Sequence, residues 1–64
     1  MPSELFREEA ERLAKLPARE RKKALAVHWN IADDAELSQV TRDYARYAAE
    51  TLDALVKQIL ERRK

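Results

Sequence analysis

The sequence predicts an all-α domain of three helices, two short ones packed on a long C-terminal one. Three observations predict it. The chain has no Gly and only two Pro, at positions 2 and 17, so long stretches lack the residues that break helices. Apolar residues recur at intervals of three and four, the spacing of one helix face. No stretch carries strand-like alternation, and no segment repeats. Helices over residues 3–16, 17–29 and 33–62 follow, in one domain of 64 residues.

In the first helix Ser3 is the expected N-cap, and Glu4 complements the positive end of the dipole. Leu5, Phe6, Leu13 and Leu16 fall on one side. Glu9 falls among them, so it should lie near an edge or pair with a base. Pro17 ends this helix and suits the first position of the next. In the second helix Leu25 and Trp29 form the inward face, with Ala24 and His28 beside them. Ala24 and Ala26 are small enough for another helix to approach closely. Asn30 is the candidate left-handed residue after the helix, with Ile31 packing back onto its end.

The connection to the third helix is then short, residues 30–33. Asp33 and Glu36 have the spacing of a capping box. The inward stripe of the long helix is Leu37, Val40, Tyr44, Ala48, Leu52, Leu55 and Ile59, flanked by Tyr47, Thr51 and Val56. Thr51 is the one place where a separate last helix could start, but the stripe keeps its phase there, so continuity is expected. Leu60 lies away from the stripe. A helix of this length spans ~43 Å, about twice either of the first two.

Charged residues make up 39% of the chain, yet the net charge is only +1. The distribution matters more than the total. Residues 1–16 carry four acids and three bases, residues 17–32 one acid and four bases, and residues 33–64 seven acids and six bases. The positive charge therefore gathers at Arg19, Arg21, Lys22 and Lys23. With no Cys, disulfides and thiolate metal sites are excluded. A single His and no Cys make a transition-metal site an unsupported reading, and His28 reads as a polar edge of the core. No phosphate-cradling Gly loop is available. Ser38 and Thr41 have no nearby base arranged for nucleophilic catalysis. No enzyme and no cofactor is expected. No apolar run reaches the ~20 residues of a membrane span. The opening residues lack a basic-then-apolar signal pattern, which makes a cytosolic setting the default.

Leu25 and Ala26, then Trp29, Asn30 and Ile31, then Leu37 and Val40 resemble the helix-turn-helix family over roughly residues 19–48. In that family an apolar residue and Ala precede a turn with Gly or Asn, and two apolar residues three apart follow it. Here the turn is one residue longer than the commonest spacing. The resemblance implies double-stranded DNA as partner, with the third helix in the major groove.

Residues opposite the expected core stripe near the start of that helix would then meet base edges. These are Ser38, Gln39, Arg42 and Arg46. Arg suits guanine O6 and N7, and Gln suits adenine N6 and N7. Ala45 and Ala49 beside the row would let the helix approach a groove wall. Arg19, Arg21, Lys22 and Lys23 would hold phosphates. The expected reader is a monomer, with a homodimer as the alternative. Zero Gly and strong helix formers at exposed sites point to a computationally designed or redesigned scaffold, with a small natural bacterial regulator as the alternative.

A second reading competes. Asp43, Glu50 and Asp53 border the same face, and Asp43–Arg46 and Arg46–Glu50 are ordinary helix-surface pairs. The chain would then be a helical module that binds a protein through one helix face, or a scaffold without a partner. The aromatic residues discriminate. Trp29, Tyr44 and Tyr47 are spaced as core; if exposed, they make a protein-binding patch the better reading.

Overall fold

A computed structural model describes the backbone of residues 2–63 and the side chains of residues 4–63. The chain folds as three helices, α1 (Pro2–Lys15), α2 (Ala18–Ala32) and α3 (Gln39–Arg62). The Ser3 cap expected for α1 rests on a side chain outside the described residues. Both shorter helices pack on α3 and barely touch each other. The result is a slab of 40 × 28 × 14 Å with α3 as its spine.

Pro17 separates α1 from α2 as expected, with φ −56° and ψ 151°. Its carbonyl accepts the first α2 bond from the Arg21 amide at 2.9 Å. The Arg21 guanidinium also donates through Nη1 to the Leu16 carbonyl at 3.2 Å, which ties the connection down.

The second connection differs from the sequence expectation. Asn30, Ile31 and Ala32 continue α2 instead of forming the turn. Helix α2 ends at Asp33 with φ −96° and ψ −2°, and no described residue has positive φ. A left-handed residue is not needed, because the last turn tightens. The Asp33 amide bonds to the Trp29 carbonyl at 3.1 Å and the Asp34 amide to the Ile31 carbonyl at 3.2 Å. The Asp34 carboxylate then accepts from the Glu36 amide at 3.0 Å, a side-chain turn that shapes the loop.

The expected capping box at Asp33 and Glu36 therefore does not start α3. Ser38 does. Its Oγ accepts from the Thr41 amide at 3.2 Å, and its backbone is extended with φ −64° and ψ 155°. The helix begins six residues later than expected, at Gln39 rather than residue 33. It then runs without a break through Thr51, as expected.

The buried residues are Ala10, Leu13 and Ala14 of α1, Ala32 of α2, and Ala45, Ala48, Ala49, Leu52 and Val56 of α3. Most are Ala, so the helices can approach closely and the large side chains needed to fill the core are few. Leu13 and Leu52, at 2% and 1% exposure, are its largest members. Each stabilises the fold by ~1.5–3 kcal/mol through burial. Phe6, Leu16, Leu25, Leu55, Ile59 and Leu60 pack half-buried against them. Leu60, expected to lie apart, is thus part of the core margin.

The expected inward stripe holds only in the second half of α3. Ala48, Leu52, Leu55, Val56 and Ile59 face inward. Val40 and Tyr44 do not: they are 78% and 66% exposed, and the flanking Tyr47 is 53% exposed. Ala45 and Ala49, expected outside, are buried instead. The inward face near the start of α3 lies on the side of the small residues, about a quarter turn from the expected stripe. Leu5, at 73%, is likewise exposed rather than core. Glu9 pairs with Arg12.

Candidate functional site

Two outward surfaces of α3 carry the functional question. The first is the row read as a base-contacting head. Ser38 is occupied as the helix cap, and its hydroxyl also donates to Thr41 Oγ1 at 2.9 Å. Gln39 is engaged at both ends of its amide. Its Nε2 donates to Asp43 Oδ1 at 2.7 Å, and its Oε1 accepts from Arg42 Nη2 at 2.9 Å. Arg42 is half-buried, on the same side as Ala45 and Ala49, and its Nε is buried with no hydrogen-bond partner. Arg46 alone projects freely: it is exposed, and its expected pairs with Asp43 and Glu50 do not form. Exposed hydrogen bonds contribute only ~0.5–1.5 kcal/mol each, so a nucleic acid could compete for Gln39. The row is nevertheless engaged locally, in one Ser38–Thr41 pair and one Asp43–Gln39–Arg42 chain.

The residues expected to hold phosphates divide. Arg19, Lys22 and Lys23 are exposed and line an open, shallow depression with Ala18 and Ala26. Arg21 turns to the other side of α2, half-buried on the Leu16 carbonyl. The three free bases occupy the first two turns of α2, whose other end leads into α3. Lys22 is ten residues before Ala32, or ~15 Å along the helix from the end where Ser38 and Gln39 follow. The basic cluster thus lies at the start of α2, while the α3 row begins just past the other end of that helix.

The second surface was not assigned by the sequence. Val40, Tyr44 and Tyr47 lie at i, i+4 and i+7 on one face of α3. Thr51, half-buried, and Leu55 continue the line toward the C-terminus. Tyr47 is buttressed by Phe6 of α1, ring centroids 5.7 Å apart and planes at 73°. Further along, Arg7 and Glu11 of α1 share a groove with Leu55, Gln58, Ile59 and Arg62 of α3. The two helices run parallel, since Phe6 meets Tyr47 and the later Glu11 meets residues past Leu55.

The sequence held a signal for this surface. Two stripes compete on α3, one through Val40, Tyr44 and Tyr47, the other through Ala45, Ala49, Leu52 and Val56. Only the second stays in phase with the C-terminal core. Trp29, the third aromatic residue in question, is 36% exposed near the end of α2, and Val27 is 55% exposed.

Among the described residues no cluster of three or more His, Cys, Asp or Glu side chains could hold a metal ion. No described helix is long and apolar enough to cross a membrane. Comparison with family models, with curated proteins and with solved structures gives no match.

Proposed function

We propose that this chain is a non-catalytic module that binds a protein partner through the Val40, Tyr44 and Tyr47 face of α3. The observation that carries this is the exposure of two Tyr and one Val in a single helical stripe. A contiguous stripe of large side chains left in water contributes little to the fold and marks an interaction surface. Tyr supplies much contact area at little entropic cost, and it is enriched at interface hot spots. The Phe6 contact holds Tyr47 before any partner arrives, which lowers the ordering cost of binding. An engineered origin fits the Gly-free, loop-poor composition.

The test is selection of ligands from an unbiased displayed peptide library against the intact chain. Ligands should lose at least about tenfold in affinity for a Tyr44→Ser/Tyr47→Ser variant, the scale of one hot-spot residue or more. Ligands that bind parent and variant equally would sink the proposal.

Double-stranded DNA is the second reading. It is favoured by the free Arg46 and by the exposed Arg19, Lys22 and Lys23. DNA binding must weaken steeply as salt rises. Selection from a random duplex pool that yields an enriched, salt-sensitive motif, lost with Arg46→Ala, would favour it over a protein partner.

A further inference from the structure

We infer that the surface covering the Val40, Tyr44 and Tyr47 face is that of a second copy of this chain, packed α3 against α3 about a two-fold axis. This rests on the docking reading above and names its occupant. The carrying observation is area. A folded monomer of this mass, 7.5 kDa, exposes about 4,250 Å². This chain exposes 5146 Å². The surplus of about 900 Å² is close to the roughly 800 Å² that each partner buries in a standard protein–protein contact.

The shape of the chain explains the surplus. Its radius of gyration is 12.2 Å, against about 10.7 Å for a compact domain of this length. Helices α1 and α2 flank α3 and barely touch each other, which leaves a slab 14 Å thin with little interior. Six of the nine buried residues among those described are Ala. Leu5, Val40, Tyr44 and Tyr47, side chains that a deeper core would take in, stand largely in water. Stable domains bury such faces between two packed layers. With no Cys to form a disulfide, a chain this short completes its burial most directly by association with its own kind.

A second copy answers the surplus twice, because one contact removes it from both chains. The stripe also suits an isologous contact, in which the same patch serves both sides. Tyr44 is its middle residue. With the two α3 helices antiparallel, Tyr44 meets the partner's Tyr44, and Val40 meets the partner's Tyr47. The net charge of +1 gives two copies little mutual repulsion. Two Tyr and one Val make a small apolar centre, so the association is reversible, with a dissociation constant on the order of 100 μM. Dilute chain is then the single folded unit.

The experiment is sedimentation equilibrium of the intact chain from the low micromolar range to about 1 mM, at low and high salt. The mass should rise from 7.5 kDa to twice that value and no further. The midpoint should move little with salt, as expected of an apolar contact. Tyr44→Ser/Tyr47→Ser should raise it by about tenfold or more, while Lys22→Gln/Lys23→Gln should leave it unchanged. Circular dichroism of each dilute variant checks that its helices are intact. A charge swap tests the axis itself. Tyr44→Lys and Tyr44→Glu should each stay monomeric alone and associate when mixed, because like charges meet in the first case and opposite charges in the second.

A chain that stays monomeric to about 1 mM, while selected peptides still need Tyr44 and Tyr47, overturns the second-copy inference alone. So does a dimer indifferent to Tyr44→Ser/Tyr47→Ser, or growth past two chains, which a closed two-fold contact forbids. Self-association and selected peptides that are both indifferent to these two residues overturn the docking reading as well.

Discussion

Phe6 and Tyr47 meet in a T-shaped pair across the α1–α3 seam, with centroids 5.7 Å apart. The contact joins the core to the exposed face. Phe6 packs half-buried against the core cluster, while Tyr47 keeps about half of its surface in water. Aromatic pairs of this geometry add ~0.5–1.5 kcal/mol beyond area burial. Phe6→Leu should therefore cost ~1–2 kcal/mol in urea unfolding, since apolar volume is largely kept but the ring pair is lost. Affinity for a ligand of the α3 face should fall as well, because Tyr47 loses its support. An unchanged urea midpoint would show that the pair contributes nothing.

The two stripes on α3 make opposite predictions for substitution. Leu52 is 1% exposed, so Leu52→Ala should destabilise by ~2–5 kcal/mol. Ala49 is fully buried at 0%, so Ala49→Leu should cost ~1–3 kcal/mol through overpacking. An outward Ala49 would accept Leu with no loss. Thermal or urea unfolding of the two variants decides between these orientations.

The helix cap gives a separate test of where α3 starts. Ser38→Ala should cost ~1 kcal/mol, because the Thr41 amide loses its acceptor. Asp33→Ala should change stability by less than ~0.5 kcal/mol, since Asp33 lies at the end of α2 and its side chain caps nothing. The reverse order in denaturant unfolding would return the start of the helix to Asp33.

Arg42 carries a buried Nε without a partner. Its aliphatic stem packs on the slab, so Met can replace the stem while removing the unmet N–H. Arg42→Met should be neutral or stabilising by up to ~1 kcal/mol. A loss larger than that would mean that the Gln39–Arg42 bond contributes more than an ordinary exposed hydrogen bond.

The helical architecture was readable because Pro17 and the three-and-four spacing act locally. The Pro17 break and the continuity past Thr51 need no tertiary information. The connection was misplaced because two signals at Asn30 and Asp33 resemble a helix end and a cap. Residues 30–32 remain helical because the burial of Ala32 rewards one more turn. Ser38 was legible as a cap by residue type, yet its position beside Gln39 made it look like part of a reading row.

The orientation of early α3 was the larger loss. Hydrophobicity ranks Val40 and Tyr44 above Ala45 and Ala49, and so places the expected stripe through the large residues. In a thin slab the helices approach through small side chains, and Ala is buried for its size rather than its hydrophobicity. Arg42 followed the same error and turned out half-buried. The exposure of Val40, Tyr44 and Tyr47 follows from that phase.

The most direct measurement is urea unfolding of Val40→Ser/Tyr44→Ser, which leaves the Phe6–Tyr47 pair intact. A face reserved for a partner contributes little to the fold, so ΔG of unfolding should stay within ~1 kcal/mol of the parent. A loss of ~4 kcal/mol or more, the sum expected for two large core side chains, would contradict the account and return both residues to the core.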